Sequence, residues 1–426
     1  IRDSNIWGHE GFQKYFRNTG WMFSARIIGF ITSFFTVAIV ARYLGPENLG
    51  KFEYAQSFVA IISVFASLGI DQILFRDLAS NPEKQNELIG TAVYSKLFFG
   101  ALALIASVSI SMMLGDNLIL TALIGIMALS FVVGPIGTVG ILFHSQVKSK
   151  YSSQIAIFLA FFIPGLKILI IFLEKGILYF ALILLIETLV SVAWSVYIYI
   201  TKFNGNPLSW SFNFKIFKRL LRDSWPLLFA SLSGYIYSKM DQVMLLHYLD
   251  AGSVGIYGAA VKLTQVWSFL PGLIIGSLFP AIINAKKESF VSYAKRFKSL
   301  TLLTLGITVA IAAPLYIFAS FITNLIFGSD FAASAPILQI YLWISIAITL
   351  TSLSYHFLIV ENLSKIFLYI SLIGAVVNII LNVSLIPLYG VHGAAFATLT
   401  SYFVVVLSMI LFKKSRNGIL HILRPN

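Results

Sequence analysis

Residues 225–283 read WPLLFASLSGYIYSKMDQVMLLHYLDAGSVGIYGAAVKLTQVWSFLPGLIIGSLFPAII. Two long apolar runs, Leu227–Leu246 and Val254–Ile283, flank the short turn His247–Ser253. Each run is long enough to cross a bilayer, which takes about 20 residues in a helix. Yet Lys239 and Asp241 lie in the first run and Lys262 in the second. An ionised side chain at mid-bilayer costs at least about 2.5–3.5 kcal/mol, so three in one hairpin require a reason. The turn also occurs twice. Tyr248-Leu249 followed by Val254-Gly255-Ile256-Tyr257 and Ala260 echoes Tyr43-Leu44 followed by Leu49-Gly50-Lys51-Phe52 and Ala55, 205 positions earlier in a chain of 426. The hairpin predicts a duplicated membrane bundle with charges inside it.

Composition agrees. Apolar residues make up 58% of the chain and charged ones 11%, against roughly 25% charged in a soluble domain. The expected fold is all-α and polytopic, with twelve transmembrane helices. In the first half these are Trp21–Leu44, Tyr54–Leu74, Leu88–Leu114, Leu118–Phe143, Gln154–Leu173 and Ile177–Ile200. In the second they are Trp225–Leu246, Val254–Ile283, Leu300–Phe327, Pro336–Val360, Ile366–Leu388 and Ala394–Phe412. Gly134-Pro135, Pro164-Gly165, Pro271-Gly272, Pro280 and Pro314 interrupt several spans. Trp7, Glu10, Lys14 and Arg17 precede the first apolar run, which does not fit a cleavable signal.

The net charge of +13 reads as positive-inside loops and attraction to anionic lipid, with no nucleic-acid partner. Arg2, Lys14, Arg17, Arg76, Lys84, Lys148, Lys150, Lys202, the 215–222 and 286–298 segments, Lys365, Lys413, Lys414, Arg416 and Arg424 share one side. Arg42, Lys51 and Lys175 are on the other. This pattern predicts a multi-pass protein of a bacterial or archaeal plasma membrane with both termini cytoplasmic. An even number of crossings separates the two turns, so the repeat is parallel, about a pseudo-two-fold axis along the membrane normal. The expected domains are a six-helix lobe over 1–201, an amphipathic linker helix over 202–224 and a second six-helix lobe over 225–426. In the linker Phe214, Phe217, Leu220 and Leu221 alternate with Lys215, Lys218, Arg219 and Arg222, and Ser224 with Pro226 is expected to start a new helix.

The internal cations Arg26, Lys96, Lys167, Lys239 and Lys262 do not follow the repeat. At the 205-residue offset Lys239 falls on Phe34, Asp241 on Thr36 and Lys262 on Ser57. Such charges serve a site more naturally than a scaffold. Folding the hairpin brings Asp241 level with Lys262, and Lys167 could pair with Glu187. Arg26, Lys96 and Lys239 are then unmatched, which predicts a water-filled cavity for an anionic substrate such as a phosphate. Arg26, Lys96, Lys239 and Lys262 are the candidate substrate-binding residues, and Asp241 and Glu187 the candidates for coupling to a proton or sodium ion. No nucleotide-binding loop and no metal-ligand pattern is present, so no cofactor is expected.

Arg42-Tyr43-Leu44-Gly45-Pro46 with Gly50 and Tyr54-Ala55, then Leu68-Gly69-Ile70-Asp71 with Arg76, resemble the first hairpin of the oligosaccharide-lipid flippases. These are the Wzx type of the multidrug/oligosaccharidyl-lipid/polysaccharide exporter superfamily. The likeness continues through Asp241–Leu245, Val254–Ala260 and Phe279-Pro280 to Asn378, Asn382, Pro387, Gly390 and Gly393-Ala394-Ala395. The resemblance implies two six-helix lobes facing a central cavity. It implies alternating access, ordinarily ion-driven, that carries an undecaprenyl-pyrophosphate-linked oligosaccharide to the external leaflet within membrane lipid, beside other polysaccharide-assembly proteins. A multidrug exporter of the same superfamily is the competing reading, and internal positive charge argues against cationic drugs. A polytopic polymerase or ligase would need a sizeable external loop, and the longest here, Gly328–Ala335, is short. The chain is therefore expected not to be an enzyme.

Overall fold

The computed structural model describes residues 10–423, and Arg2, Trp7 and Arg424 of the preceding paragraphs, with both chain ends, lie outside them. Every regular element among the described residues is helical. The first, α1 (Glu10–Ser67), is two helices joined at a kink, because Gly45 sits at φ 68°, ψ 173° and Pro46 follows it. A side chain disfavours that backbone conformation, and proline suits the first turn of the helix that restarts. Next come α2 (Asp71–Ser80) and α3 (Gln85–Met113).

The span after α3 is broken where Gly134-Pro135 predicts. It consists of α4 (Leu118–Ala128), α5 (Ser130–Val133), a 3₁₀ stretch over Gly134–Val139 and α6 (Gly140–Ser145). Two unbroken helices follow, α7 (Lys150–Phe172) and α8 (Ile177–Phe203). The second half holds α9 (Phe214–Tyr248), α10 (Ala251–Glu288), α11 (Phe290–Ile317), α12 (Ala319–Phe327) and α13 (Ser334–Val360). It ends with α14 (Ser364–Ser408), kinked at Gly390, and α15 (Lys413–Leu423). Pro164, Pro271, Pro280 and Pro314 stay inside continuous helices. Nine helical runs among the described residues are long and apolar enough to cross a membrane, and the charged α9 is not among them.

The chain divides into two compact units, Ile1–Tyr43 with Phe58–Leu228, and Leu44–Ser57 with Phe229–Asn426. The division differs from the sequence expectation in two places. First, the linker is not separate. Its apolar residues Ile216 and Leu220 are buried in the first unit's core with Leu74, Leu78, Ile89 and Tyr199, and the helix runs on through Ser224 and Pro226. The Ser224 hydroxyl donates to the Leu68 carbonyl at 3.0 Å, so it anchors the helix to the first unit and does not begin a new one. The polar face is held as well. Arg219 Nη2 lies 2.8 Å from Asp77 Oδ2, and Arg76 Nη2 3.1 Å from Asp223 Oδ2. That Arg76 contact holds the Asp223 carboxyl below the usual carboxylate range. It therefore persists at neutral pH and is lost only on acidification through that lowered value. Second, the turn segment Leu44–Ser57 belongs with the second unit.

The second unit has its own core, in which Ile275, Ile282, Tyr293, Leu300, Phe357, Leu358 and Ile370 are buried together. Here α13 packs against α10, α11 and α14.

Candidate functional site

Within the second unit the two copies of the repeated turn lie against each other. A Cβ on Gly50 would meet the Ala251 carbonyl oxygen at 1.6 Å, and one on Gly255 the Pro46 carbonyl oxygen at 1.9 Å. Gly255 and Ala251 stand 205 positions after Gly50 and Pro46, so the contact is reciprocal. Residue and counterpart exchange roles, as in an isologous interface. Only glycine lets the two backbones approach this closely.

The charged side chains beside this contact are not reciprocal. Glu53 Oε1 lies 2.7 Å from Lys262 Nζ, with the Glu53 side chain 3% exposed and that of Lys262 21%. The counterpart of Glu53 is Gly258, and a Cβ there would meet Glu53 Cγ at 2.9 Å. A glycine in one copy thus makes room for a carboxylate in the other. The expected Asp241–Lys262 pair does not form, because Glu53 is the nearer carboxylate. Glu53→Gln leaves the Lys262 ammonium without a counter-charge in a largely dry site. It is expected to destabilise the protein by about 1–3 kcal/mol, at the lower end because Lys262 keeps some solvent contact. Thermal unfolding in detergent measures this, and restored stability in the doubly neutral Glu53→Gln/Lys262→Met variant would assign the loss to the unpaired charge.

Asp241, on α9, is buried and only 1% exposed. Hydroxyls surround its Oδ2. Tyr257 of α10 donates to it, Thr398 of α14 donates at 3.1 Å, and Tyr341 of α13 lies 3.3 Å away. The Tyr257 and Tyr341 hydroxyls are 2.7 Å apart. Oδ1 accepts the Gln242 backbone N–H at 2.8 Å, and the Gln242 side-chain oxygen accepts from Ser57. The α9–α10 turn sets this register through Asp250, which caps α10 by accepting the Ser253 N–H at 2.8 Å. Asp241 makes no ion pair among the described residues, although the Lys239 charge acts on it. A carboxylate amid neutral oxygens is the donor set that suits a proton or a hard cation.

Lys239 is half-buried and feels the charges of Glu53, Lys262 and Asp241. These four side chains form one electroneutral group, two cations with two carboxylates. In the first unit, Lys96 is not unmatched as expected. It is buried against Asp71 and 3.3 Å from the Thr138 hydroxyl. The Lys167 charge acts on Glu187, which is also in the first unit. Arg26 is exposed on α1. At ion-pair distance among the described residues, Lys96 and Lys262 thus have carboxylate partners, while Arg26 and Lys239 have none.

Sequence reasoning missed Glu53, Asp71, Tyr257, Tyr341 and Thr398 as site residues. Glu53 falls just before the span Tyr54–Leu74, and Asp71 lies near the end of that span. The one available signal was that Glu53 lies inside the repeated turn opposite a glycine.

The model of the polysaccharide biosynthesis protein family matches residues 15–286. The "Probable low-salt glycan biosynthesis flippase Agl15" of Haloferax volcanii is 24% identical over 392 residues, 90% of this chain and 80% of that protein. The "Probable flippase AglR" of the same organism is 30% identical over 184 residues, 40% of this chain, and the match spans only 37% of that relative's length. Among solved structures, the lipid II flippase MurJ in an inward closed conformation superposes with a TM-score of 0.74 at 17% identity, covering 96% of this chain and 92% of that one. At that identity the likeness shows the fold.

Proposed function

Because this chain belongs to the polysaccharide biosynthesis protein family, as a membrane flippase of the oligosaccharide type, we propose that it moves a polyprenyl-pyrophosphate-linked oligosaccharide repeat unit from the cytoplasmic to the external leaflet. The observation that carries this reading is the family match itself, which runs through both copies of the repeated turn. The lipid is of the undecaprenyl type.

The working architecture is twelve crossings in two six-helix lobes related by a parallel repeat. The two kinked helices α1 and α14 each supply two crossings and α9 supplies one more. The reciprocal Gly50–Ala251 and Gly255–Pro46 contact supports the two-fold relation. Basic loops on one side support cytoplasmic termini. Transport proceeds by alternating access. The turn-on-turn contact is closed in one state and parted in the other, and Glu53 with Lys262 breaks or re-forms as it moves.

Arg26 and Lys239 are the cations proposed to meet substrate phosphate, since neither is committed to a carboxylate at ion-pair distance among the described residues. Lys96 and Lys262 reach it only by leaving Asp71 and Glu53. Asp241 is the proposed coupling carboxylate and Glu187 the second. The test is complementation of a flippase-deficient host, scored by surface glycan. Arg26→Ala and Lys239→Ala are each expected to cut export about tenfold, the loss of one charge-assisted phosphate contact, at unchanged membrane levels. Normal export in both variants would remove the assignment.

A further inference from the structure

We propose that the groove between α10 and α11 of the second unit is a site for one anionic membrane phospholipid, distinct from the transported glycan lipid. The groove is a cavity of about 500 Å³. Its walls are graded along the helices. Leu278 of α10 with Leu300 and Leu303 of α11 line the part farther from the α10–α11 turn. Lys295 and Arg296, with Ser299 one turn on, line the part nearer it, where Arg296 donates to the Ala281 carbonyl at 3.4 Å. Lys295 and Leu303 are eight residues apart, so the basic and apolar ends are separated by about 12 Å along the helix. That is the order of parts in a phospholipid lying along a membrane helix, acyl chain deep and phosphate at the interface.

Charge favours an anionic headgroup. Segment 286–298 carries Lys286, Lys287, Lys295, Arg296 and Lys298 against the single acid Glu288. Glu288 is shared, accepting from Arg296 at 3.3 Å and from Ser292 at 3.1 Å. Arg296 is fixed at the groove mouth by Glu288 and by the Ala281 carbonyl, with guanidinium N–H donors still available, and Lys295 is exposed and makes no ion pair among the described residues. One free cation, one shared cation and the Ser299 hydroxyl match a single phosphodiester. Leu278 and Leu303 are 40% and 47% exposed, an apolar floor that an acyl chain covers.

The experiment measures lipid retained by the purified full chain in mild detergent, by native mass spectrometry, with phosphatidylglycerol or phosphatidylcholine of matched chains. Wild type is expected to retain phosphatidylglycerol about tenfold more than phosphatidylcholine, the preference two nearby cations confer. Lys295→Gln should erase most of that preference. Ser299→Trp, which fills the groove from an exposed position, should release both lipids while leaving the melting temperature unchanged. Equal retention of the two lipids, or an unchanged profile in Ser299→Trp, overturns the site. Displacement by millimolar inorganic phosphate would mean an ion site without a lipid. A polyprenyl diphosphate that outcompetes phosphatidylglycerol would mean the groove serves the transported lipid. Either result overturns the assignment.

Discussion

Replacing Gly255 with leucine is expected to abolish flipping while the protein still reaches the membrane. A side chain at this position meets backbone, not a mobile side chain: the Pro46 carbonyl oxygen lies 1.9 Å from where the Cβ must go. The two turns then cannot close. Overpacking of this kind costs about 1–3 kcal/mol in a core that can adjust, and more against backbone. A penalty of about 3 kcal/mol on one state shifts a two-state equilibrium more than a hundredfold. The shift is directly readable because the chain contains no cysteine. A single cysteine at Ser57, a fully buried position beneath the contact, reports opening by its reaction with a membrane-impermeant thiol reagent. Labelling should rise about a hundredfold in Gly255→Leu and less in Gly255→Ala. Gly50→Leu should behave alike, since Gly50 occupies the reciprocal position. Wild-type labelling and export in Gly255→Leu would show that the turns need not close during transport.

The second large effect is expected at Asp241. Asp241→Asn keeps the size of the side chain and an oxygen for the Tyr257, Tyr341 and Thr398 hydroxyls. One hydroxyl must turn to accept from the new amide, a change of about one hydrogen bond, so the fold should survive. What is lost is a carboxylate whose proton or cation occupancy differs between states. Only such differential binding lets a gradient shift a conformational equilibrium. In proteoliposomes the variant is expected to bind substrate and flip it at the unstimulated rate, with no response to a proton or sodium gradient. Thr398→Val, which removes one donor and no charge, should retain the response with a shifted midpoint. A well-folded Asp241→Asn protein with an undiminished gradient response would falsify coupling through this residue and direct attention to Glu187.

The charges show where sequence reading reached and where it stopped. Lys239, Asp241 and Lys262 were legible as a group because each lies in an apolar run, where a charge is costly whatever the fold. Their partners were not. Lys262 seemed destined for Asp241, which hairpin register brings level with it. It binds Glu53 instead, more than 200 residues earlier, because Gly258 leaves a space that only a side chain from the other turn can enter. Lys96 seemed unmatched because nothing in the sequence brings it to Asp71, 25 residues earlier at the end of another span. The linker helix read as a separate surface element because its pattern is amphipathic. Its apolar residues Ile216 and Leu220 are instead buried in the core of the first unit.

The sequence alone therefore determined the membrane class, the all-helical character, the likeness of the two turns and which polar residues stand in apolar surroundings. These follow from hydrophobicity, helical period and internal likeness, all properties of a segment and its near neighbours. The tertiary structure decided which carboxylate neutralises which cation, that Asp241 is held by hydroxyls from three other helices, and that the first turn sits with the second unit. Those outcomes depend on contacts between residues far apart in the chain. Ion pairing and close backbone packing are set by distances of a few ångströms that no local pattern encodes.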